Sequence, residues 1–531
     1  MTDRRIALIN GNVLSRDGPF SAIVIVDNRI EYVGDSDEAL EIAGRKAKVI
    51  DLKGRFVLPG FIDAHMHLME YSLALKRLDL RGVRSILELK RRVAEKAKAL
   101  RPGEWILGRG WDQELFVEGR WPSRFDLDEA APNNPVLLRR ICGHIAVANS
   151  KALRLAGIDR ETLDPPGGEI DRDPRGIPTG ILKETAIELV ERCISPPSER
   201  YRVQALIEGM HSLLTYGITT VHIAGCTKEV FGILRRLLAE HRLPIRVRVY
   251  FSPRELSYAI KMYRATHEDT MLRVMGVKVL ADGSLGGRTA YLRRPYNDHP
   301  GRGFMTIDKN ELSLIVEEAM KNNIQVAVHA IGDAAIGEVL DSYEKAGVTF
   351  QERFRIEHAS VSSPDLIETM KRIGIVAVVQ PHFVISDWWI VDRLGEERAT
   401  WAYPFKTLLK RGIHVAFSTD APVEPVNPWL TLYAAISRGE PDAIPLALYT
   451  QHERLDLHEA LRCYTYGSAY AAFDETLLGD IAPGKLADLV VIDKNPFTLP
   501  AVQLKNIKVF MTIVNGKIVY TDPKASLAKE A

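Results

Sequence analysis

The chain has 531 residues, 70 of them lysine or arginine and 69 aspartate or glutamate, which is too long for one ordinary domain and fits a large α/β barrel plus a second module. No block of like charge stands out, so a nucleic-acid or anionic-membrane partner is not expected and a small-molecule substrate is. Four scattered cysteines (Cys142, Cys193, Cys226 and Cys463) show no CxxC spacing, excluding a disulfide framework and a thiolate zinc site and pointing to a reduced, cytoplasmic protein.

The N-terminus lacks the apolar core of a signal peptide, and no run of about 18 apolar residues offers a membrane span. Residues 1–59 read as short alternating strands, RIALING, AIVIVDN, RIEYVGD and KVIDLKGRFV, punctuated by Asn-Gly and Asp-Asn turns. Residues 476–531 repeat the style in ADLVVIDKNP and KVFMTIVNGKIVY. Two β-rich ends around a different middle predict one β-sandwich built from both termini.

Between them, from 60 to 475, strands alternate with amphipathic helices, the pattern of βαβ units and a parallel sheet. Strands are expected at 60–68, 217–225, 244–251, 273–283, 324–332, 353–359, 375–381 and 414–422. Eight is the number that closes a (β/α)8, TIM-type barrel. Residues 101–196, rich in Trp, Pro, Asp and Asn, read as a subdomain inserted between the first and second strands, hence over the barrel mouth. A shorter insertion, LGGRTAYLRRPYNDHPGRGFMTI, follows the fourth strand.

The first barrel strand ends in FIDAHMHL, where His65 and His67 project to one side. Taken alone, the pair fits a metal site and a pair of hydrogen-bonded core histidines equally well. Lys278 lies in the apolar run RVMGVKVLADG, where a lysine must lose its charge, pair, or be modified. Carbamylated by carbon dioxide it becomes an anionic oxygen ligand able to bridge two cations; otherwise it is an ion-paired or catalytic lysine. His329 closes VAVHAIGD, His358 closes FRIEHA, and Asp420 sits in VAFSTDAP, each where a strand gives way to a loop. Their spacing follows multiples of a βα unit of about 30 residues. Such nitrogen and oxygen donors suit Zn²⁺ first, with Mn²⁺, Fe²⁺ or Co²⁺ as options; two ions fit six ligands better than one.

The chain resembles the amidohydrolase superfamily, specifically the amidohydrolase 3 branch that includes N-substituted formamide deformylases. The resemblance covers nearly the whole length through LPGFIDAHMHL, GRGWDQ, GHIAVANSKAL, KVLADGSLGGRTA, VHAIGD, IEHA, STDAPVEP and GDIAPGKLADLVVID. It implies a metal-dependent hydrolase on a (β/α)8 barrel, acting on a non-peptide carbon–nitrogen bond such as that of an N-formyl or N-acyl amine. His65 and His67 would bind the more buried metal, and carboxylated Lys278 would bridge it to a second held by His329 and His358. Asp420 would bind the first metal and serve as general base and then acid for the attacking hydroxide.

Pocket-lining candidates are Trp111, His144, Asn149, Arg288, Gln380 and His382; each can equally be structural, and for Trp111 burial in the insertion's own core is the stronger reading. His222, ending TVHIAG, reads as a packing or supporting residue. One alternative is a mononuclear aminohydrolase, whose relatives usually carry a glutamate three residues after the strand-five histidine, where this chain has Gly332. An ester or lactone hydrolase on the same barrel is another. A catalytically inactive scaffold of the dihydropyrimidinase-like kind belongs to a different class, and the six intact ligand types speak against it. Barrel hydrolases of this size often pair, so a homodimer is an option.

Overall fold

The computed structural model describes residues 4–15, 18–140 and 145–524. Its centre is a parallel sheet of the eight expected strands: β1 (Phe61–Met66), β2 (Ile218–Cys226), β3 (Arg246–Phe251), β4 (Leu272–Leu280), β5 (Gln325–Ala330), β6 (Arg355–His358), β7 (Val376–Val379) and β8 (His414–Phe417). They neighbour one another in chain order from β1 to β8, as right-handed βα crossovers require. The two ends of the sheet meet just past the strands. Asp420 N donates to His65 O at 2.8 Å and His67 N to Ala421 O at 2.9 Å, so the barrel closes at its C-terminal rim. That rim is the face on which barrel enzymes build their sites.

Polar side chains fill part of the barrel interior as one connected network. Arg355 on β6 bonds Glu357 through Nε at 2.7 Å and Nη2 at 3.0 Å, Tyr250 Oη at 2.7 Å, and the Ala64 carbonyl at 2.6 Å. Tyr250 in turn donates to Gln325 at 2.8 Å. A buried guanidinium is tolerated because its donors are satisfied.

Both termini contribute to a sandwich. One sheet runs through Arg29–Gly34, Ala22–Val26, Arg5–Ile9 and Lys48–Asp51; the other pairs Asn12–Ser15, Phe56–Pro59, Leu489–Ile492, Val509–Val514 and Lys517–Thr521. Inward side chains from both, among them Leu8, Ile23, Val57, Val491 and Ile513, share one apolar core. The strand Phe56–Pro59 continues through Gly60 into β1. A Cβ at Gly60 would lie 2.3 Å from Thr219 Oγ1, so only glycine lets the chain pass from sandwich to barrel there.

Residues Met1–Tyr71 and Ile207–Ala531 form one compact unit and Ser72–Leu206 another. The second contains the expected insertion, 101–196, and extends past it on both sides. It is built on a six-stranded sheet, Gly168–Arg172, Pro178–Glu184, Ile145–Ala148, Val136–Arg140, Ile106–Trp111 and Leu78–Asp79. Val136 and Leu138 face one apolar cluster while Leu137 faces the other, the period-two alternation of a sheet covered on both sides.

Candidate metal centre

His65 and Asp63 share a face of β1 by strand periodicity. Asp63 is fully buried and accepts from His65 N at 3.2 Å, Thr419 N at 3.1 Å and Thr419 Oγ1 at 2.5 Å; it thereby ties the end of β1 to the loop after β8. Burial pushes its carboxyl up to about 7. This staple sets His65 beside Asp420.

His65 Nε2 lies 3.4 Å and His67 Nε2 3.1 Å from Asp420 Oδ1, and the three ligand atoms lie within 4.8 Å of one another. Asp420 Oδ1 is buried, and among the described residues its polar neighbours are these two imidazole nitrogens, with no well-formed hydrogen bond to it. Burial opposes ionisation of Asp420, but His67, His65 and Lys278 around it hold the carboxyl below its ordinary range. A carboxylate oxygen in that position calls for a cation.

The state of His65 is set from behind. Its Nδ1 bonds Glu357 Oε2, which Arg355 holds, so Nδ1 carries the hydrogen and Nε2 offers its lone pair. Burial drives the His65 pKa well below the ordinary histidine value, which keeps the ring neutral. Carboxylate–histidine pairs of this kind orient metal ligands.

Beyond His65 the rings continue in a row. His65 and His358 stand 5.2 Å apart and His358 and His329 4.4 Å. His358 Nδ1 is engaged by Gln380 Oε1 at 2.7 Å, leaving Nε2, and His329 Nε2 by the Gly283 carbonyl at 2.9 Å, leaving Nδ1. Lys278 is buried, with neither a hydrogen bond nor an ion pair among the described residues. Burial brings its ammonium down to about 8. His358, Ala359 and Asp420 all have positive φ, 73°, 48° and 56°, backbone that non-glycine residues adopt at a cost of order 1–3 kcal/mol and that clusters at functional sites. The donor set is imidazole and carboxylate without thiolate, which suits Zn²⁺, Mn²⁺, Fe²⁺ or Co²⁺.

The other candidates go to different places. Gln380 supports His358 and donates to Ser418 Oγ at 2.8 Å. His382 bonds Glu424 through Nδ1. Arg288 pairs with Asp298 at 2.8 Å in the loop after β4. Trp111 is buried in the Ser72–Leu206 unit, its Nε1 donating to Leu138 O at 2.8 Å. Asn149 caps the helix Ser150–Leu155; its Oδ1 accepts from Ala152 N and Val136 N, and its Nδ2 donates to Asn134 O at 2.9 Å. His144 lies outside the described residues. His222 is buried with Nδ1 3.1 Å from Arg355 Nη1.

Sequence reasoning missed Glu357, Asp63 and Asp282. Asp282 accepts from Ile331 N, Gly332 N and Tyr291 N, pinning the loops after β4 and β5 behind His329. For Glu357 and Asp63 the available signal was an acidic residue inside an apolar strand, next to or two residues before a ligand-type histidine; Asp282, two residues past the end of β4, carried no such signal.

Comparison with known proteins agrees with this geometry. The Amidohydrolase family model matches residues 48–520. The chain belongs to the amidohydrolase family. Among relatives of this amidohydrolase, YtcJ of Bacillus subtilis is 34% identical over 94% of this chain and 96% of its own. The N-substituted formamide deformylase of Arthrobacter pascens is 31% identical over 97% and 98%. The crystal structure of an uncharacterized metal-dependent hydrolase from Pyrococcus furiosus superposes with a TM-score of 0.77 at 38% identity, covering 93% of this chain and all of that one. This amidohydrolase is therefore an enzyme, a metal-dependent hydrolase.

Proposed function

We propose that this amidohydrolase cleaves the non-peptide carbon–nitrogen bond of a small N-acyl amine, with N-formyl amines as the first class to test, at a centre of two divalent ions. The observation that carries the reading is the convergence of the buried Asp420 Oδ1 with the Nε2 atoms of His65 and His67, three ligand-type atoms within 4.8 Å of one another. These three would hold one ion. Lys278, His329 and His358 would hold the second, with Lys278 as its carbamate. A buried lysine with no partner favours that modification, since the neutral amine adds to carbon dioxide and loses its proton, turning a costly cation into a ligand. When bound, the ions polarise the carbonyl and make hydroxide accessible near neutral pH.

The chain's own groups do the rest. Asp420 stands where it can accept the proton of the attacking water. Glu357 and Gln380 keep His65 and His358 in their ligating tautomers, and the Asp63 and Asp282 staples hold the ligand-bearing loops in place. The deformylase similarity over 98% of that relative's length supports an N-formyl amine as a substrate class.

The mononuclear aminohydrolase alternative meets a steric obstacle. A Cβ at Gly332 would lie 2.0 Å from the Tyr291 carbonyl oxygen, so the glutamate that reading expects has no room. Assaying metal-loaded enzyme against N-formyl and N-acyl amines, cyclic amides and the matching esters tests the proposal. Turnover of amides is expected; turnover of esters or lactones alone would overturn it.

A further inference from the structure

The loops after β6, β7 and β8 carry a second constellation beside the ligands. His382 follows Gln380, and its neighbour Phe383 lays its ring 6.1 Å from that of His358. Glu424 lies four residues past Asp420, directly after the turn closed by Val423 N donating to Asp420 O at 2.9 Å. Glu424 is buried and both its oxygens are used: Oε2 receives His382 Nδ1 and Oε1 receives Ser386 Oγ at 2.5 Å. Tyr403, whose N bonds the carbonyl of Ser360 just past His358, donates through its hydroxyl to Asp387 at 2.5 Å, fastening the end of the helical turn Phe383–Ser386 to the loop after β6.

Like His65, His382 has its inner nitrogen held by a buried carboxylate from another element, but it stands outside the row of candidate ligands; its ring is partly exposed and Nε2 makes no hydrogen bond among the described residues. A carboxylate that fixes one imidazole nitrogen aims the other and stabilises the imidazolium. A structural latch would need no free, accessible nitrogen.

We infer that His382, positioned by Glu424, protonates the departing amine. The inference rests on the carbon–nitrogen hydrolase reading above and gives the two proton steps to two groups. Asp420 takes a proton from water as the new C–O bond forms. The His382 imidazolium then gives its Nε2 proton to the amide nitrogen as the C–N bond breaks and the bonding pair goes to nitrogen. The proton taken from water returns to His382 through solvent, leaving acid and amine as the only net products.

The test compares two leaving groups on one acyl part, an N-formyl alkylamine and N-formyl-4-nitroaniline, with metal-loaded full-length enzyme. An alkylamine cannot depart unprotonated, whereas the nitroanilide depends far less on an acid. His382→Asn is expected to lower kcat/KM for the alkyl amide by about 10²-fold or more and that for the nitroanilide by less than about tenfold. Glu424→Gln should move the ratio the same way by a smaller factor. The ratio is independent of the folded fraction, and His382→Gln supplies a second variant if the first folds poorly. Equal losses on both substrates in an active enzyme would overturn the inference and leave the proposed function standing. Wild-type enzyme that hydrolyses neither compound nor any other amide would overturn both.

Discussion

Glu357 on β6 holds the Nδ1 of His65 on β1 across the barrel interior, and Arg355 grips both Glu357 oxygens from below. This relationship determines which His65 nitrogen faces Asp420. It joins the candidate ligands at the barrel rim to the polar network beneath.

Glu357→Gln keeps an acceptor but removes the charge that fixes the His65 tautomer and balances Arg355. Metal affinity should fall about 10–100-fold. Leaving a buried guanidinium without its counter-charge should also cost about 3–5 kcal/mol of stability. Metal titration by calorimetry and urea unfolding measure the two effects separately. Unchanged affinity would remove Glu357 from the metal centre.

Lys278 has a pH signature. Burial holds its folded-state pKa at about 8, against about 10.4 in the unfolded chain. Between these values the unfolded chain carries a proton that the folded chain does not, so stability rises with pH across that window. Below pH 8 the unmodified, metal-free protein should be destabilised by about 3 kcal/mol relative to its value above pH 10 through this group. Urea unfolding of carbon-dioxide-free apoprotein should show the rise, and Lys278→Met should abolish it. Bicarbonate added with metal should flatten the wild-type profile, with the mass of one carbon dioxide retained on the native chain.

Asn149 separates support from substrate contact. Asn149→Ala removes a helix cap and leaves Val136 N and Asn134 O without partners, so the loss should be about 2–4 kcal/mol. Faster proteolysis within residues 72–206 with an unchanged KM in the surviving enzyme is expected. A raised KM at unchanged stability would return Asn149 to the pocket.

The eight barrel strands were legible because βα alternation repeats along the chain, and each expected strand contains its observed counterpart except at β2, which runs one residue further, to Cys226, and β4, which begins one residue earlier, at Leu272. His65 and His67 were legible as a strand-end pair. Glu357 was not, because its partner His65 lies 292 residues away and only barrel closure brings β1 and β6 onto a common interior. Gln380 and Asn149 are polar residues near ligand-type motifs, and sequence proximity does not say which backbone or ring they serve. Asn149 did carry a readable signal, an asparagine directly before a helix. Arg288 shows the same limit: its partner Asp298 sits ten residues further along its own loop, a pairing that sequence spacing does not reveal.

On the proposed function, Asp420 with His65 and His67 forms a metal centre that hydrolyses a carbon–nitrogen bond. The most direct test is the rate of N-formyl amine hydrolysis by metal-stripped wild type and Asp420→Asn as Zn²⁺ or Mn²⁺ is added back. Wild-type activity should return and saturate near two equivalents, while Asp420→Asn should stay lower by about 10²–10⁴-fold. Hydrolysis by the stripped enzyme, or by Asp420→Asn at near wild-type rate, would contradict the proposed function.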